Sequence, residues 1–300
     1  LETFTIPETI TEIGQQAFMN CTALKSITIP SSVKNIGASA FKGCTGISAF
    51  TVPSGVENIG NEAFFGTKAT TFSIPASVTT IGQKAFNSNP SITNFTIESG
   101  SAYSVSEDVS MIVKTSGDVV EAVSFFGNKS EITFPANVTK IGNYFAQGSP
   151  DLVKVNIPAV SSLGNGVFQD CPKLTTAVYA AGATTTGNNT FQNCKALVDV
   201  TLPEAATQLG SNLFNGCSAL KSVTIPSAVT KINSGVFTNC SSLEEVALPA
   251  SLTEIVNNLF KGCASLKKID IPAGVKKIGN TAFQGCTSLV ELKLPETITT

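Results

Sequence analysis

Between Leu24 and Pro30 the chain alternates, with Ile27 and Ile29 apolar and Ser26 and Thr28 polar. That two-residue period predicts a short strand with the isoleucines inward and the hydroxyls outward. Pro30 ends it, because proline has no N–H to give to a neighbouring ladder. Apolar residues return three apart at Val33 and Ile36, and Gly37 then predicts a turn with positive φ. Ala40 and Phe41 lie in a stretch long enough for about one helical turn.

The same order recurs along the chain. Prolines fall at Pro7, Pro30, Pro53, Pro75, Pro135, Pro158, Pro203, Pro226, Pro249, Pro272 and Pro295, mostly 22 or 23 residues apart. Pro90, Pro150 and Pro172 share a second position, so all 14 prolines occupy two positions of one period. Aligned on proline, the unit reads L-x-x-I-x-I-P-x-x-V-x-x-I-G-x-x-A-F-x-G-C. The residue before the Cys position is Asn20, Gly43, Gly66, Ser88, Gly148, Asp170, Asn193, Gly216, Asn239, Gly262 or Gly285. Gly, Asn and Asp tolerate a left-handed backbone, the usual stop after a helical turn. A unit of this length cannot bury its own apolar face, so the units must stack, with parallel strands about 4.8 Å apart. Like side chains then form columns, one of them running from Phe18 through Phe41, Phe64, Phe86, Phe168, Phe191, Phe214, Phe237 and Phe260 to Phe283. Phe145 precedes Ala146, the reverse of the usual order, which predicts a locally distorted coil.

One break interrupts the period. From Glu98, at a proline position, to Pro135 is 37 residues, 14 more than a unit. Val109–Val113 and Val119–Phe126 are β-rich runs flanking Thr115-Ser116-Gly117-Asp118, which predicts a β-hairpin projecting from an enlarged coil. Insertions in repeats often border a binding face, and surface padding explains this one equally well. Leu1 stands where Leu24 stands, and the chain stops at Ile298-Thr299-Thr300 before the next Gly and Phe. Both ends therefore fall inside coils, and the expectation is a segment of a longer product.

Composition narrows the chemistry. Charged residues make up 13 % of the chain and hydrophobic ones 42 %, which excludes a disordered chain. Nineteen basic and 21 acidic side chains give a net charge of −2, so no strong field attracts nucleic acid or an anionic membrane. The basic residues are all lysines, and without His or Arg the chain lacks the commonest acid–base catalyst and the bidentate anion clamp. No apolar run approaches the ~20 residues that span a bilayer, so no direct membrane insertion is expected. Cys21, Cys44, Cys171, Cys194, Cys217, Cys240, Cys263 and Cys286 share one repeat position without a C-x-x-C pair. They read as a ladder of buried thiols, with stapling between coils as the alternative; a metal site lacks converging ligands. No nucleophile–base–orienter set and no phosphate-cradling glycine motif is present, so neither enzyme activity nor a cofactor is expected.

What remains is surface. The outward position two before proline reads Thr5, Thr28, Thr51, Ser73, Thr96, Thr133, Asn156, Val178, Thr201, Thr224, Ala247, Asp270 and Lys293. Position four before proline is mixed until Glu245, Lys268 and Glu291. The strand face is thus a neutral, hydroxyl-rich strip with a charged C-terminal end. Thr201, Thr224, Glu245, Lys268, Asp270, Glu291 and Lys293 are the candidate partner-binding residues. Exposed strands favour Thr for its β-branch alone, so the strip has a bland reading too. Ice-binding solenoids also carry Thr columns, but here the partner column is mixed and the charged end breaks the array.

Ile29-Pro30, Val33, Ile36-Gly37, Ala40-Phe41, Cys44 and Ile47 carry a pattern that resembles the BspA-like (Treponema pallidum-type) leucine-rich repeats of bacterial surface proteins. Leu220 to Cys240 and Leu266 to Cys286 match it again. Departures are the Pro-less, Gly-poor unit at 180–191, Asn233 and Val256 at the Gly position, and Thr67, Asn89 and Ser149 at the Cys position. The resemblance implies a repeat solenoid, a right-handed coil of about 23-residue units. A parallel sheet would form one face, with short strands and single helical turns on the other and one hairpin insertion. A single domain over 1–300 would comprise coils 1–97, the enlarged coil 98–134 and coils 135–300. It further implies an extracellular or cell-surface module that binds a host matrix or cell-surface protein, without enzyme activity. The competing class is a structural spacer or self-associating stalk.

Overall fold

A computed structural model describes residues Glu2 to Thr299, so the expectations placed on Leu1 and Thr300 lie outside the described residues. The chain divides into two compact units: Leu1–Lys129 with Pro135–Ser149, and Ser130–Phe134 with Pro150–Thr300. Each is a solenoid of stacked coils with a ladder of parallel strands on one face.

In the first unit, Thr3–Thr5 pairs with Ser26–Thr28, and Ala49–Thr51, Thr71–Ile74 and Asn94–Ile97 form a three-stranded ladder. Residues facing each other are 22 or 23 apart, such as Phe50 with Phe72 and Phe72 with Phe95, so the sequence period is the strand register. Two-residue strands at Glu12–Ile13, Asn35–Ile36, Asn58–Ile59 and Thr80–Ile81 make a second parallel ladder after each proline. The second unit repeats this, with Glu131–Ile132, Lys154–Ile157, Thr176–Tyr179 and Asp199–Thr201 in one ladder. Two further pairs follow, Ser222–Thr224 with Glu245–Ala247 and Lys268–Asp270 with Glu291–Lys293.

The helical turn expected around Ala40–Phe41 does not form, and no helix occurs among the described residues. Alternate residues bond in different directions. Ala40 and Lys42 donate within the turn, to the Gly37 and Ser39 carbonyls, while Ser39, Phe41 and Gly43 donate to Asn61, Ala63 and Phe65 of the next coil. Ser39 has a φ of 55°, and a left-handed residue recurs two before the usual aromatic position, including Glu62, Asn212 and, two before Ala146, Tyr144. A helix would spend every N–H inside its own coil; stacking diverts half of them outward. The second left-handed position is where expected, and all eleven residues before the Cys position have positive φ.

Gly37 corrects a second expectation. It is not among the positive-φ residues. A Cβ there would lie 2.7 Å from the Gln15 nitrogen and 2.8 Å from the Ile13 carbonyl, so the glycine serves the close approach of coils. Val256 fills the same position in the second unit. The second ladder is interrupted beside it, with Gln208–Leu209 paired to Lys231–Ile232 and Glu254–Ile255 paired only onward to Lys277–Ile278. The unit at 180–191 keeps its glycine, since Gly187 occupies that position with a φ of 67°.

Phenylalanine columns fill the core. Rings of Phe18, Phe41, Phe64 and Phe86 stack at 5.3–5.4 Å. Phe168, Phe191, Phe214, Phe237, Phe260 and Phe283 stack at 5.6–5.9 Å. The first unit has a second column from its strands, Phe50, Phe72 and Phe95, set edge-on to the first at 4.9–5.2 Å. Such contacts contribute about 0.5–1.5 kcal/mol beyond burial. Phe145 and Ala146 exchange places without disturbing the backbone: Tyr144 and Gly148 keep their left-handed φ of 55° and 72°. The expected distortion is confined to side chains, with the Phe145 ring turned to Phe125 at 6.0 Å.

The insertion does contain a hairpin, Met111–Ser116 with Val119–Phe125, turning at Gly117-Asp118. A third strand, Tyr103–Val105, flanks it, and the last pairs in parallel with Lys140–Ile141. Only the tip projects: Val119 is exposed, while Met111, Ile112, Phe125 and Phe126 are buried. Phe126 stacks on Phe95 at 4.9 Å and continues the column. The Tyr103 hydroxyl accepts from Ile81 N at 3.0 Å and so closes the second ladder. Buried Asn87 accepts from Ser124 and donates to the Tyr144 and Phe145 carbonyls, holding the enlarged coil to its neighbours.

Phe237→Ala should lower the unfolding free energy by roughly 3–5 kcal/mol in urea, because a fully buried ring leaves a cavity between two rings. A loss under about 1 kcal/mol would contradict the stacked column. Gly66 has a positive φ and open space around its Cα, so Gly66→Ala should cost about 1–2 kcal/mol of backbone strain. Gly60→Ala should cost more, since its Cβ would sit 2.6 Å from the Ala38 nitrogen. The opposite order would show that close approach does not set the glycine position.

Candidate partner-binding face

Pleating sends alternate strand residues outward. All seven candidates, Thr201, Thr224, Glu245, Lys268, Asp270, Glu291 and Lys293, are exposed on the strand face of the second unit. Register places Thr224 beside Ala247, Lys268 beside Glu291 and Asp270 beside Lys293. Between the pairs lies a seam, where Lys267 N reaches the Glu244 carbonyl at 3.5 Å.

A groove of about 790 Å³ covers this seam. It brings together Thr224, Glu245, Lys268 and Asp270 and leaves Thr201, Glu291 and Lys293 outside its lining. It also takes in Lys221, Glu244 and Lys267, which the sequence reading passed over. Their signal was available: all three stand five residues before a proline, with alternating sign. Three lysines thus face three carboxylates. Lys267 binds Glu244 at 2.9 Å, Lys268 binds Asp270 at 3.2 Å, and beyond the groove Lys293 binds Glu291 at 2.9 Å. The hydrogen bond and charge of Lys267 hold the Glu244 carboxyl below its ordinary range. Lys293 does the same for Glu291, which in turn raises Lys293. Exposed pairs of this kind contribute little to folding, so they can be exchanged for a partner's charges at small cost.

The thiol column lies inside. All eight cysteines are free thiols, six of them buried. Each thiol from Cys194 to Cys286 donates to the phenylalanine carbonyl of the preceding coil, as Cys217 does to Phe191 at 3.1 Å and Cys240 to Phe214 at 3.1 Å. The column is therefore a row of donors as well as small apolar side chains. Its substitutes show the same need: Asn89 donates to the Phe64 carbonyl at 2.8 Å and accepts from Thr67. Among the described residues, no group of three or more His, Cys, Asp or Glu side chains could hold a metal ion. No described helix is long and apolar enough to cross a membrane.

Profiles of the BspA type leucine rich repeat region match residues 1–109, 120–240 and 207–300, in six copies. The chain belongs to the BspA-type leucine-rich repeat family. Among curated proteins, none matches the chain. Among solved structures it is similar to a leucine-rich repeat protein from Eubacterium ventriosum, at 23 % identity and a TM-score of 0.73 over 100 % of this chain and 79 % of that one. It is similar also to a leucine-rich cell surface protein from Faecalibacterium prausnitzii, at 24 % identity and a TM-score of 0.54, covering 98 % and 83 %. The T. pallidum leucine-rich repeat protein matches at 26 % identity and a TM-score of 0.55, covering 62 % of this chain and 86 % of that one. These likenesses support the solenoid of leucine-rich repeats.

Burial raises the thiol of Cys44 to about 11 and that of Cys263 to about 12, against 9.0 in an exposed chain. Folded thiols therefore stay protonated where unfolded ones ionise. The stability they contribute is complete below pH 9.0 and falls as pH rises from there toward the folded values. Iodoacetamide should accordingly label partly exposed Cys21 and Cys286 in the native protein well before the buried six, and all eight after unfolding. Rapid native labelling of Cys240, read by peptide mass, would contradict the buried column.

Proposed function

We propose that the chain is a non-enzymatic, extracellular or cell-surface module that binds a host matrix or cell-surface protein through the strand face of its second unit. The observation that carries this reading is the groove over the seam. Thr224, Glu245, Lys268 and Asp270 converge there with Lys221, Glu244 and Lys267 on a rigid, exposed scaffold. The inner columns are consumed by packing, whereas these outward side chains join coils only through the exposed Lys267–Glu244 ion pair, which adds little to stacking. A balanced set of three lysines and three carboxylates suits a partner with its own alternating charges, and gives specificity more than affinity. Membership of a family with a cell-surface relative is consistent with that location.

The combined variant Glu245→Ala, Lys268→Ala, Asp270→Ala should fold with an unchanged unfolding midpoint. It should bind a panel of immobilised purified matrix proteins roughly tenfold more weakly than the parent, whose binding should itself weaken with added salt. Equal binding by variant and parent would move the site elsewhere, and no binding by the parent would favour a structural spacer.

A further inference from the structure

We propose that the Pro-less coil of the second unit holds a small site for one neutral sugar residue, on the second-strand side of the coils and separate from the strand-face groove. At two steps of this unit the short strands are tied by two hydrogen bonds each, and among the described residues neither forms at the interruption beside Val256. Thr230 N donates to the Thr207 carbonyl at 2.9 Å and Asn233 N to that of Leu209 at 3.1 Å. Lys276 N and Gly279 N do the same with Thr253 and Ile255.

Residues 184–187 form no such strand. Thr186 stands where other coils carry an isoleucine or leucine. Its carbonyl is drawn away from the ladder by the Tyr179 hydroxyl at 3.0 Å and the Thr190 hydroxyl at 2.7 Å, all three residues being buried. Gly210 N then has only the Thr186 hydroxyl to meet, at 2.9 Å, and Gly187 N turns to Thr185 Oγ1 at 3.4 Å. Two ladder groups lose their partners as a result. Among the described residues, the Leu163 carbonyl and the Thr207 N–H carry no protein hydrogen bond, whereas the matching Leu209 carbonyl and Thr230 N–H in later coils are paired.

Both residues line a cavity of about 210 Å³. The rest of the wall is amide, hydroxyl and backbone, including Gln208, Thr184 and Asn188, and no charged side chain reaches it. An ion would find no counter-charge there, and an apolar ligand would strand the free backbone groups. Sugar hydroxyls both donate and accept, as do the Gln208 amide and the Thr184 hydroxyl, while the Asn188 amide is held by Asn165 and Ser211 N. The cavity is smaller than the ~300–1,000 Å³ of pockets that take drug-sized ligands, which suits a single sugar ring.

Titration of the ¹⁵N-labelled protein with glucose, galactose, mannose and N-acetylglucosamine, each to about 50 mM, tests this at the weak affinity a small open site allows. At least one sugar should shift the Thr207 and Gly187 amide resonances saturably. Gln208→Ala should weaken that binding roughly fivefold or more while leaving the unfolding midpoint in place. The strand-face variant Glu245→Ala, Lys268→Ala, Asp270→Ala should bind the same sugar as the parent does, which separates this site from the proposed protein-binding face. No shift with any of the four sugars, or a shift indifferent to Gln208→Ala, overturns the proposal.

Discussion

Every coil must lie on a copy of itself. Strands in a parallel ladder sit about 4.8 Å apart, so any atom one coil on is a near neighbour of its equivalent. Only side chains that tolerate their own kind at that distance can fill an inner column. Phenylalanine does so by offset stacking, at 5.3–5.9 Å between rings. Cysteine does so by sending its S–H to the carbonyl of the preceding coil. Glycine does so by having no Cβ to strike the backbone below, as at Gly37 and Gly60. These are three answers to a single packing constraint.

Where a column breaks its own rule, the unit substitutes a hydrogen bond. Asn89 replaces a thiol and satisfies two phenylalanine carbonyls, those of Phe64 and Phe86. Asn87 and Ser124 join the enlarged coil to Tyr144 and Phe145 by buried polar contacts. Tyr103 uses its hydroxyl where the second ladder would otherwise end on an open N–H. A buried polar group without a partner costs about 1–3 kcal/mol, which is why each defect arrives with its partner supplied. The Pro-less coil makes its repair inside, where the Thr186 carbonyl accepts from the Tyr179 and Thr190 hydroxyls, and it leaves the Leu163 carbonyl and the Thr207 N–H without a protein partner among the described residues.

Outward positions escape the stacking constraint, and there the two units diverge. The first carries Thr5, Thr28, Thr51, Ser73 and Thr96 along its face, all uncharged. The second ends in lysines and carboxylates that pair along or across strands without burying themselves. Freedom from packing and convergence over a groove are the grounds on which that stretch is proposed as a contact surface.

The period, the strand registers, the phenylalanine and cysteine columns and the left-handed stops were legible in the chain itself, because each is a one-dimensional pattern that stacking merely repeats. Gly37, Ser39 and Phe145 were not. Whether a glycine serves torsion or clearance, and whether an N–H bonds within its coil or to the next, depends on how close the next coil comes, and proximity has no signature in a single unit. The groove was half visible for the same reason: Glu245, Lys268 and Asp270 announced themselves as outward charges, but only the seam between strand pairs decided which of them meet. The hairpin's runs could be read along the chain, while its burial against Phe95 and Lys140–Ile141 required the neighbouring coils to exist.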